Sequence, residues 1–388
     1  MSTPVASEPE VVLIGAGVLG LFTAHALAQR MDPSRILVLD RGYLSAGASG
    51  RNGGGVRQQW EDPITVRWAK EGVRVYRRFA RDFGFNPWFR QGGYCFLAFS
   101  EEERARLRRM EGVVRGEGLP IRWLEADALQ ERVPRLDPPG LLGGTELSSD
   151  GVIYPFPVLW GLRASLLRLG VQIRTRTEVV GIDRDAKGVQ GVRTREGRIP
   201  VRRVVNVAGG ASRSVSALAG LRVPNVPSRH EILATEAVKP LFDPMVVTLR
   251  RGSYFSQSMR GEIIGGLAPE RAEPAGEGLP SSSRFLHDAS AELTELFPSL
   301  ARLRVLRSWA GLYDETPDGF PILGEDPRLP GFFQGNGFGG HGFMLAPAGA
   351  PRLAALVLGE STDLDPGKFG PGRFSSPGAS PREGLVLG

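Results

Sequence analysis

The chain has little of several things, and each shortage excludes something. One cysteine, Cys95, stands in 388 residues. No disulfide scaffold and no cysteine-based metal site can be built from it. Four histidines, His25, His230, His287 and His341, are too few and too dispersed for a zinc centre, and no metal is expected. Lysine is almost absent: Lys70, Lys187, Lys239 and Lys368 are four of 48 basic residues. The arginines are scattered, without a basic block interleaved with aromatics, which argues against nucleic-acid binding. Residues 1–10 carry no positive charge ahead of an apolar core, so no secretory signal is expected. The uncharged run 11–28 is long enough by count to span a membrane. Three glycines at fixed spacing and a histidine within it point elsewhere, and no membrane span is expected. A reducing cytoplasm fits all of this.

What is present is ordinary for a globular protein: 41% hydrophobic and 23% charged residues, in a chain long enough for two domains. The net charge of +6 is read mainly as arginine replacing lysine on the surface, with an anionic small ligand as its functional content.

Along the chain, an apolar run at 11–14 ends in a glycine turn, a helical pattern covers 21–29, and a second strand at 35–39 ends in Asp40. Amphipathic periodicity predicts a helix over 62–82, strand-like residues follow at 89–99, and Ser100 caps a helix to 116. A helix is expected over 157–169. Alternating segments follow at 171–180 and 188–194, with a strand at 201–207. Residues 230–236 and 254–267 read as strands of a separate sheet, 271–283 as a loop, 289–297 as a short helix, and 346–358 as the last helix. From 367 onward the chain is rich in Gly, Pro and Ser and reads as a flexible tail.

Gly15-Ala16-Gly17-Val18-Leu19-Gly20 is a GxGxxG motif, weak alone. Here a strand precedes it, a helix follows, and the next strand ends in an acid, which is the context a dinucleotide site requires. Gly15 allows the turn, Gly17 lets backbone approach a pyrophosphate, and Gly20 lets helix and strand pack closely. The helix start offers N–H groups to phosphate, and Asp40 is placed to accept from a ribose. Shortly afterwards comes SGRNGGGVRQQW, residues 49–60. Three consecutive glycines are entropically costly, and arginines flank them. Such a loop suits a cofactor that continues past its pyrophosphate, favouring FAD over NAD. A second glycine-rich segment, 335–342, precedes a helix. It is either a flexible loop or a helix start stabilising negative charge on a reduced flavin.

These motifs, together with Asp150-Gly151, Asn206-Val207-Ala208-Gly209-Gly210, Thr316-Pro317-Asp318-Gly319 and Gly339-Gly340-His341-Gly342-Phe343, resemble the FAD-dependent amine and amino-acid oxidoreductases related to glycine, sarcosine and D-amino-acid oxidases. The resemblance covers about residues 9–360. Within that family the stretches 51–59 and 340–347 look most like the beta subunits of sarcosine oxidase and of dye-linked L-proline dehydrogenase. The resemblance implies an α/β (mixed α+β) fold: a Rossmann-like FAD-binding domain from residues 1–85, 146–222 and 306–366, and a substrate domain on an antiparallel sheet from 86–145 and 223–305, followed by the tail 367–388.

It also implies roles. Ile14, Gly15, Gly17, Val18, Leu19, Gly20, Asp40 and Arg41 hold the adenosine and pyrophosphate end. Ser49, Arg51, Asn52, Gly53 and Gly54 run along pyrophosphate and flavin. Val179 meets the adenine, Ala208 and Gly209 line the channel, and Gly337, Gly339, Gly340, His341, Gly342, Phe343 and Met344 sit at the flavin. Arg57 matches an arginine that holds the substrate carboxylate, which a guanidinium fork suits. Tyr254 and Tyr313 match tyrosines around the substrate, and His341 belongs by the flavin edge. Four departures shape the expectations. There is no cysteine near Gly311, so FAD is expected to be noncovalent. Pro155 stands near the position of an FMN-bearing histidine. Met344 replaces a lysine tied to oxygen use, and Tyr313 stands where glycine oxidases place an arginine.

The expected reaction is oxidation of the CH–N bond of an amino acid or N-alkyl amino acid, with the imine then hydrolysed. The expected partners are that small substrate and either a second copy or a partner subunit. An alternative role is a beta-type subunit passing electrons onward. A third, an RNA-modifying flavin module, has only the net charge behind it. His230 is open between facing the substrate and being satisfied by its neighbours.

Overall fold

The computed structural model describes residues 8–269 and 279–375. Most of the loop expected at 271–283, and the tail from 376, lie outside the described residues. The apolar runs at the N-terminus become strands Val11–Ile14 and Ile36–Leu39. They lie inside a six-stranded sheet in the order Ile322–Glu325, Phe332–Asn336, Arg203–Asn206, Val11–Ile14, Ile36–Leu39, Gln172–Arg174. All pairs are parallel except the first. Strands buried on both faces need no polar alternation, and the pleat sends alternate residues to two cores. Val11, Leu13, Ile36 and Val38 pack with the helices, and Val12, Ile14, Leu37 and Leu39 with the opposite layer. On the helix side lie Val18–Ala28, Pro155–Leu169 and Gly342–Leu358. The other face is covered by an antiparallel meander of Val179–Asp185, Gly188–Thr194 and Gly197–Pro200.

The second sheet has eight strands: Val305–Glu315, Val226–Ala237, Glu262–Leu267, Tyr254–Gln257, Met245–Thr248, Tyr94–Ala98, Gly143–Leu147 and Arg122–Glu125, in that order. It departs from the expected antiparallel sheet at one place. Met245–Thr248 pairs in parallel with Tyr94–Ala98. The run read as one strand over 254–267 is a hairpin folded at Ser258–Gly261. Strands Gly143–Leu147 and Val305–Glu315 cross the divisions drawn at 145/146 and 305/306. We propose the same two-domain division with those strands assigned whole to the substrate domain.

Four helices begin earlier than periodicity indicated, that of Pro155–Leu169 by two residues. The first starts at Val18 because the glycine turn leads straight into it. Ser282 caps Ser283–Leu296, its hydroxyl accepting from Phe285 N at 3.1 Å. The last starts at Gly342 and carries Pro347 and Pro351 within it. The first part of the expected tail, 367–375, is also corrected. Pro366–Phe369 is a helical turn, Phe369 stacks on Trp68 with ring centroids 4.8 Å apart, and Arg373 is buried against Asp318. Two large side chains hidden among small residues anchor it.

Candidate active site

The strand Val11–Ile14 delivers the chain to Gly15, whose φ of +122° suits only glycine. A Cβ there would overlap the Val207 carbonyl, and one at Gly20 would overlap the Gly15 carbonyl. The turn, the first helix and the Val207–Ala208 backbone thus meet with no room for a side chain at Gly15 or Gly20. Ala16 N donates to Asp40 Oδ2 at 2.8 Å, and Val18 N donates to Ser49 Oγ at 3.0 Å. Asp40 Oδ1 accepts from Gly42 N at 2.7 Å. Ile14, Leu19 and Val179 are buried, and Thr177 N donates to the Asp40 carbonyl at 2.8 Å, which brings the Val179 strand beside Asp40. Arg41 lines a separate shallow pocket with Arg176 and Arg195.

Beyond the turn, Asn52 organises the glycine loop. Its side-chain amide donates to Ser49 O at 2.7 Å, and its oxygen accepts from Gly54 N at 2.8 Å. Arg51 donates to the carbonyls of Ala46 (2.9 Å) and Ala310 (2.8 Å). That guanidinium ties the loop to the substrate sheet, a contact the expected role in phosphate or flavin binding did not include.

A cleft with about 560 Å³ of empty space, partly open to solvent, lies past the loop. Its walls bring together Asn52, Gly53, Gly54, Arg57, Tyr254, Tyr313, Gly340, His341, Phe343 and Met344, residues spread over almost 300 positions. Gly337 and Gly339, with φ of +74° and +53°, turn the chain into the last helix. His341 caps that helix and, with Phe343 and Met344, presents its positive end to the cleft. A Cβ at Gly53 would press on the Tyr254 ring, and one at Gly340 on the Tyr313 ring. The tyrosines therefore seat directly on backbone.

Arg57 is 4% exposed. Its guanidinium carbon lies 3.6 Å from the Trp60 ring centroid and 5.3 Å from that of Phe96. Nη1 donates to the Gln59 carbonyl, and Nη2 lies 3.5 Å from His341 Nε2. Burial, with the Arg57 charge and His230 adding to it, holds His341 well below the ordinary histidine range, so its ring is neutral. Burial raises Tyr254 and Tyr313 above the usual tyrosine range, so both hydroxyls keep their protons. Arg57 is then the fixed positive charge of the cleft. His230 is held by its neighbours: its ring stacks on Tyr313 at 3.7 Å, and Nε2 lies 3.1 Å from Ser228 Oγ and 3.3 Å from Glu315 Oε1.

Sequence reading missed Tyr94, Phe96, Met245 and Val247, which complete the cleft. Asp150-Gly151 was singled out without a role. In the structure Asp150 is fully buried directly behind Arg57 and accepts from Gln58 and Gln59. Burial pushes its carboxyl up to about 7, against the opposing effect of those bonds and of Arg57.

A strand–helix–strand unit feeding a cleft of this kind is that of a dinucleotide-dependent oxidoreductase. Residues 10–356 match the family described as DAO, FAD dependent oxidoreductase, and the chain belongs to that family. It is an FAD-dependent oxidoreductase of the mixed α/β fold. Among solved structures it is similar to L-proline dehydrogenase from P. horikoshii, with TM-score 0.89 and 31% identity over 96% of this chain and 99% of that one. Among curated proteins it is 29% identical to sarcosine oxidase subunit beta of Rhodobacter capsulatus, over 94% of this chain and 88% of the relative. It is 26% identical to glycine oxidase of Pseudomonas putida, over 93% and 98%. Among the described residues no helix is long and apolar enough to cross a membrane.

Proposed function

We propose that this enzyme oxidises the CH–N bond of a small amino acid or N-alkyl amino acid, of the glycine, sarcosine, proline or D-amino-acid class. The observation that carries this is Arg57, a buried guanidinium in the wall of a cleft closed by aromatic side chains and by the start of the last helix. The cradle fits FAD: the glycine turn at 15–20 leaves no side chain in the way of a pyrophosphate, and two helix starts, at Val18 and Gly342, offer backbone amides. Ser49, Asn52, Gly53 and Gly54 would lie along it, with Gly340, His341 and Met344 at its reactive end. When bound, FAD supplies the acceptor for the substrate hydride.

The protein's own residues set the geometry. Arg57 binds the substrate carboxylate through both oxygens and so fixes the direction of the carbon that bears nitrogen. Phe96, Tyr94, Tyr254, Tyr313 and Met245 keep water from that carbon. Tyr254 and Tyr313 remain protonated and donate rather than accept charge. Neutral His341 adds no charge beside the amine, which reacts in its unprotonated form. The imine product leaves and hydrolyses. FAD is held without a covalent tether, since Cys95, the one cysteine, is fully buried outside the cleft. Met344 in the cleft wall, in place of a cation, favours an electron acceptor other than oxygen.

Anaerobic incubation of the FAD-loaded enzyme with glycine, sarcosine, L-proline and D-amino acids identifies the substrate by flavin bleaching, and admission of air then measures oxygen use. Arg57→Ala is expected to raise KM sharply and lower kcat/KM for the carboxylated amine. An unchanged kcat/KM overturns the reading.

A second role within the same chemistry has its own support. Relatives carry the description subunit beta, and this chain exposes an aromatic ribbon. Trp88 stacks on Tyr154 at 5.6 Å, Tyr154 meets Phe156 edge-on at 5.4 Å, and Phe156 lies 5.9 Å from Trp160. Trp88, Tyr154 and Trp160 are 45%, 38% and 50% exposed. Contiguous exposed aromatics mark interaction sites, and we read the ribbon as the face a partner subunit or a second copy covers, in the cytoplasm. Native mass and copurification test it.

A further inference from the structure

Arg57 lies on residues 57–60, which are neither helix nor strand. No regular ladder fixes the guanidinium, so something else must. Gln58 N donates to Asp150 Oδ1 at 2.8 Å, and Gln58 Nε2 reaches the same oxygen at 3.0 Å and Ser149 Oγ at 2.8 Å. Gln59 Nε2 donates to Asp150 Oδ2 at 3.0 Å and to the Tyr94 carbonyl at 3.2 Å. Gln59 Oε1 accepts from Thr145 Oγ1 at 2.8 Å. The Gln59 carbonyl in turn accepts from Arg57 Nη1. Asp150, Gln59 and Thr145 are fully buried, and Gln58 nearly so.

Asp150 is itself anchored. Its amide donates to Leu147 O at 3.2 Å, and its carbonyl accepts from Gly93 N at 2.9 Å. It stands between Gly143–Leu147 of the eight-stranded sheet and Gly151–Val152, which pairs with Gly55–Val56 just ahead of Arg57. The link therefore runs from the substrate sheet through one carboxylate and two glutamines to the guanidinium. A buried carboxylate is costly unless fully hydrogen-bonded, and here three N–H donors converge on it. Asparagine in its place would turn an NH₂ group toward one of those donors.

We propose that Asp150 is a positioning residue: by gripping Gln58 and Gln59 it holds the Arg57 guanidinium in the orientation that receives a carboxylate. This rests on Arg57 being the carboxylate clamp. Preorganisation of this kind lowers the ordering cost of binding.

The test uses the full-length FAD-loaded enzyme and acetate as the probe, a carboxylate with no amine to oxidise, titrated by its shift of the flavin absorbance. Arg57→Ala, Asp150→Asn and the double variant are compared with the wild type. Arg57→Ala and Asp150→Asn are each expected to weaken acetate binding by roughly tenfold or more, the loss that follows from an unsatisfied buried polar group. In the Arg57→Ala background, Asp150→Asn is expected to add less than about twofold, since residues acting through one contact are not additive. An unchanged affinity in Arg57→Ala rejects the clamp itself. A normal loss there, with wild-type affinity in Asp150→Asn or with the full Asp150→Asn loss repeated in the Arg57→Ala background, rejects the positioning role alone. Should Asp150→Asn not retain FAD, Thr145→Val, which removes the other side-chain bond on the Gln59 amide, tests whether the hold on Gln59 orients Arg57. A several-fold loss that disappears without Arg57 supports the proposal, and no loss overturns it.

Discussion

The strongest stability expectation concerns the segment after Asp365. Arg373 and Asp318 are 2% and 7% exposed at their side chains, and the pair is bidentate, with Nε and Nη2 at 2.8 and 3.0 Å. Arg373 also donates to the Phe320 carbonyl at 2.8 Å and the Phe369 carbonyl at 3.2 Å. Arg373→Met removes the cation and leaves the Asp318 carboxylate buried. Breaking such a pair on one side costs about 3–5 kcal/mol. With an unfolding entropy of about 2.1 cal/mol/K per residue, a 388-residue chain loses about 0.8 kcal/mol of stability per kelvin near its midpoint. The variant is therefore expected to melt about 4–6 °C lower when unfolding is a single cooperative step. The assay is calorimetry in excess FAD, so that cofactor linkage is constant. Arg373→Met with Asp318→Leu should recover much of the loss, because both charges then leave together. A shift under about 1 °C in the single variant refutes the view that this segment is anchored by a buried ion pair.

Three further expectations follow from the site. Asp150, pushed up to about 7 by burial, should give kcat/KM for a carboxylated amine a rise with pH through about 7, which Asp150→Asn removes; Arg57, Tyr94 and Cys95 are the titratable groups that share its field. The sign for stability is opposite: a carboxyl raised above its ordinary 3.8 binds its proton more tightly when folded, so its contribution is present below about pH 4 and is lost as pH rises to 7. Gly340→Ala pushes on the Tyr313 ring and should lower kcat/KM, measured per bound flavin, by about ten- to a hundredfold; wild-type rates would show that the ring position is immaterial. Gly15→Ala combines a φ of +122° with overlap of the Val207 carbonyl and is expected to bind FAD at least about tenfold more weakly, read as the flavin-to-protein ratio after dialysis.

The parts of the fold legible in the sequence are those with local causes. Gly15, Gly17 and Gly20 could be interpreted because a turn, a helix start and an acid at position 40 all lie within thirty residues. The buried strands showed as apolar runs for the same reason. Arg57, Tyr254 and Tyr313 were reached through family resemblance, and the structure places all three in one cleft. What stayed hidden was tertiary. Met245–Thr248 is four residues long, buried throughout, and pairs in parallel with Tyr94–Ala98, 151 positions earlier, as well as with the nearby Tyr254–Gln257. Asp150 and Gln59 are 91 residues apart, and nothing in either neighbourhood announces the other. In the tail, composition spoke for glycine and proline, while Phe369 and Arg373 decided the outcome.

The position of the first strand has a consequence for how the protein is made. Val11–Ile14 is made before every other strand of its sheet, yet it lies between Ile36–Leu39 and Arg203–Asn206, and the sheet is completed only by Phe332–Asn336 and its antiparallel neighbour Ile322–Glu325. Until Arg203–Asn206 has been made one edge of this strand has no neighbour, and parallel pairings across such long separations form slowly. The last helix, whose start forms part of the cleft, comes later still. The nascent chain thus has no complete cleft until about residue 358 has emerged, roughly 20–70 s after the first strand at ordinary elongation rates. The vulnerable period for aggregation ends with assembly of the cleft, so FAD supplied during expression should act on yield only once the last helix, Gly342–Leu358, has been made.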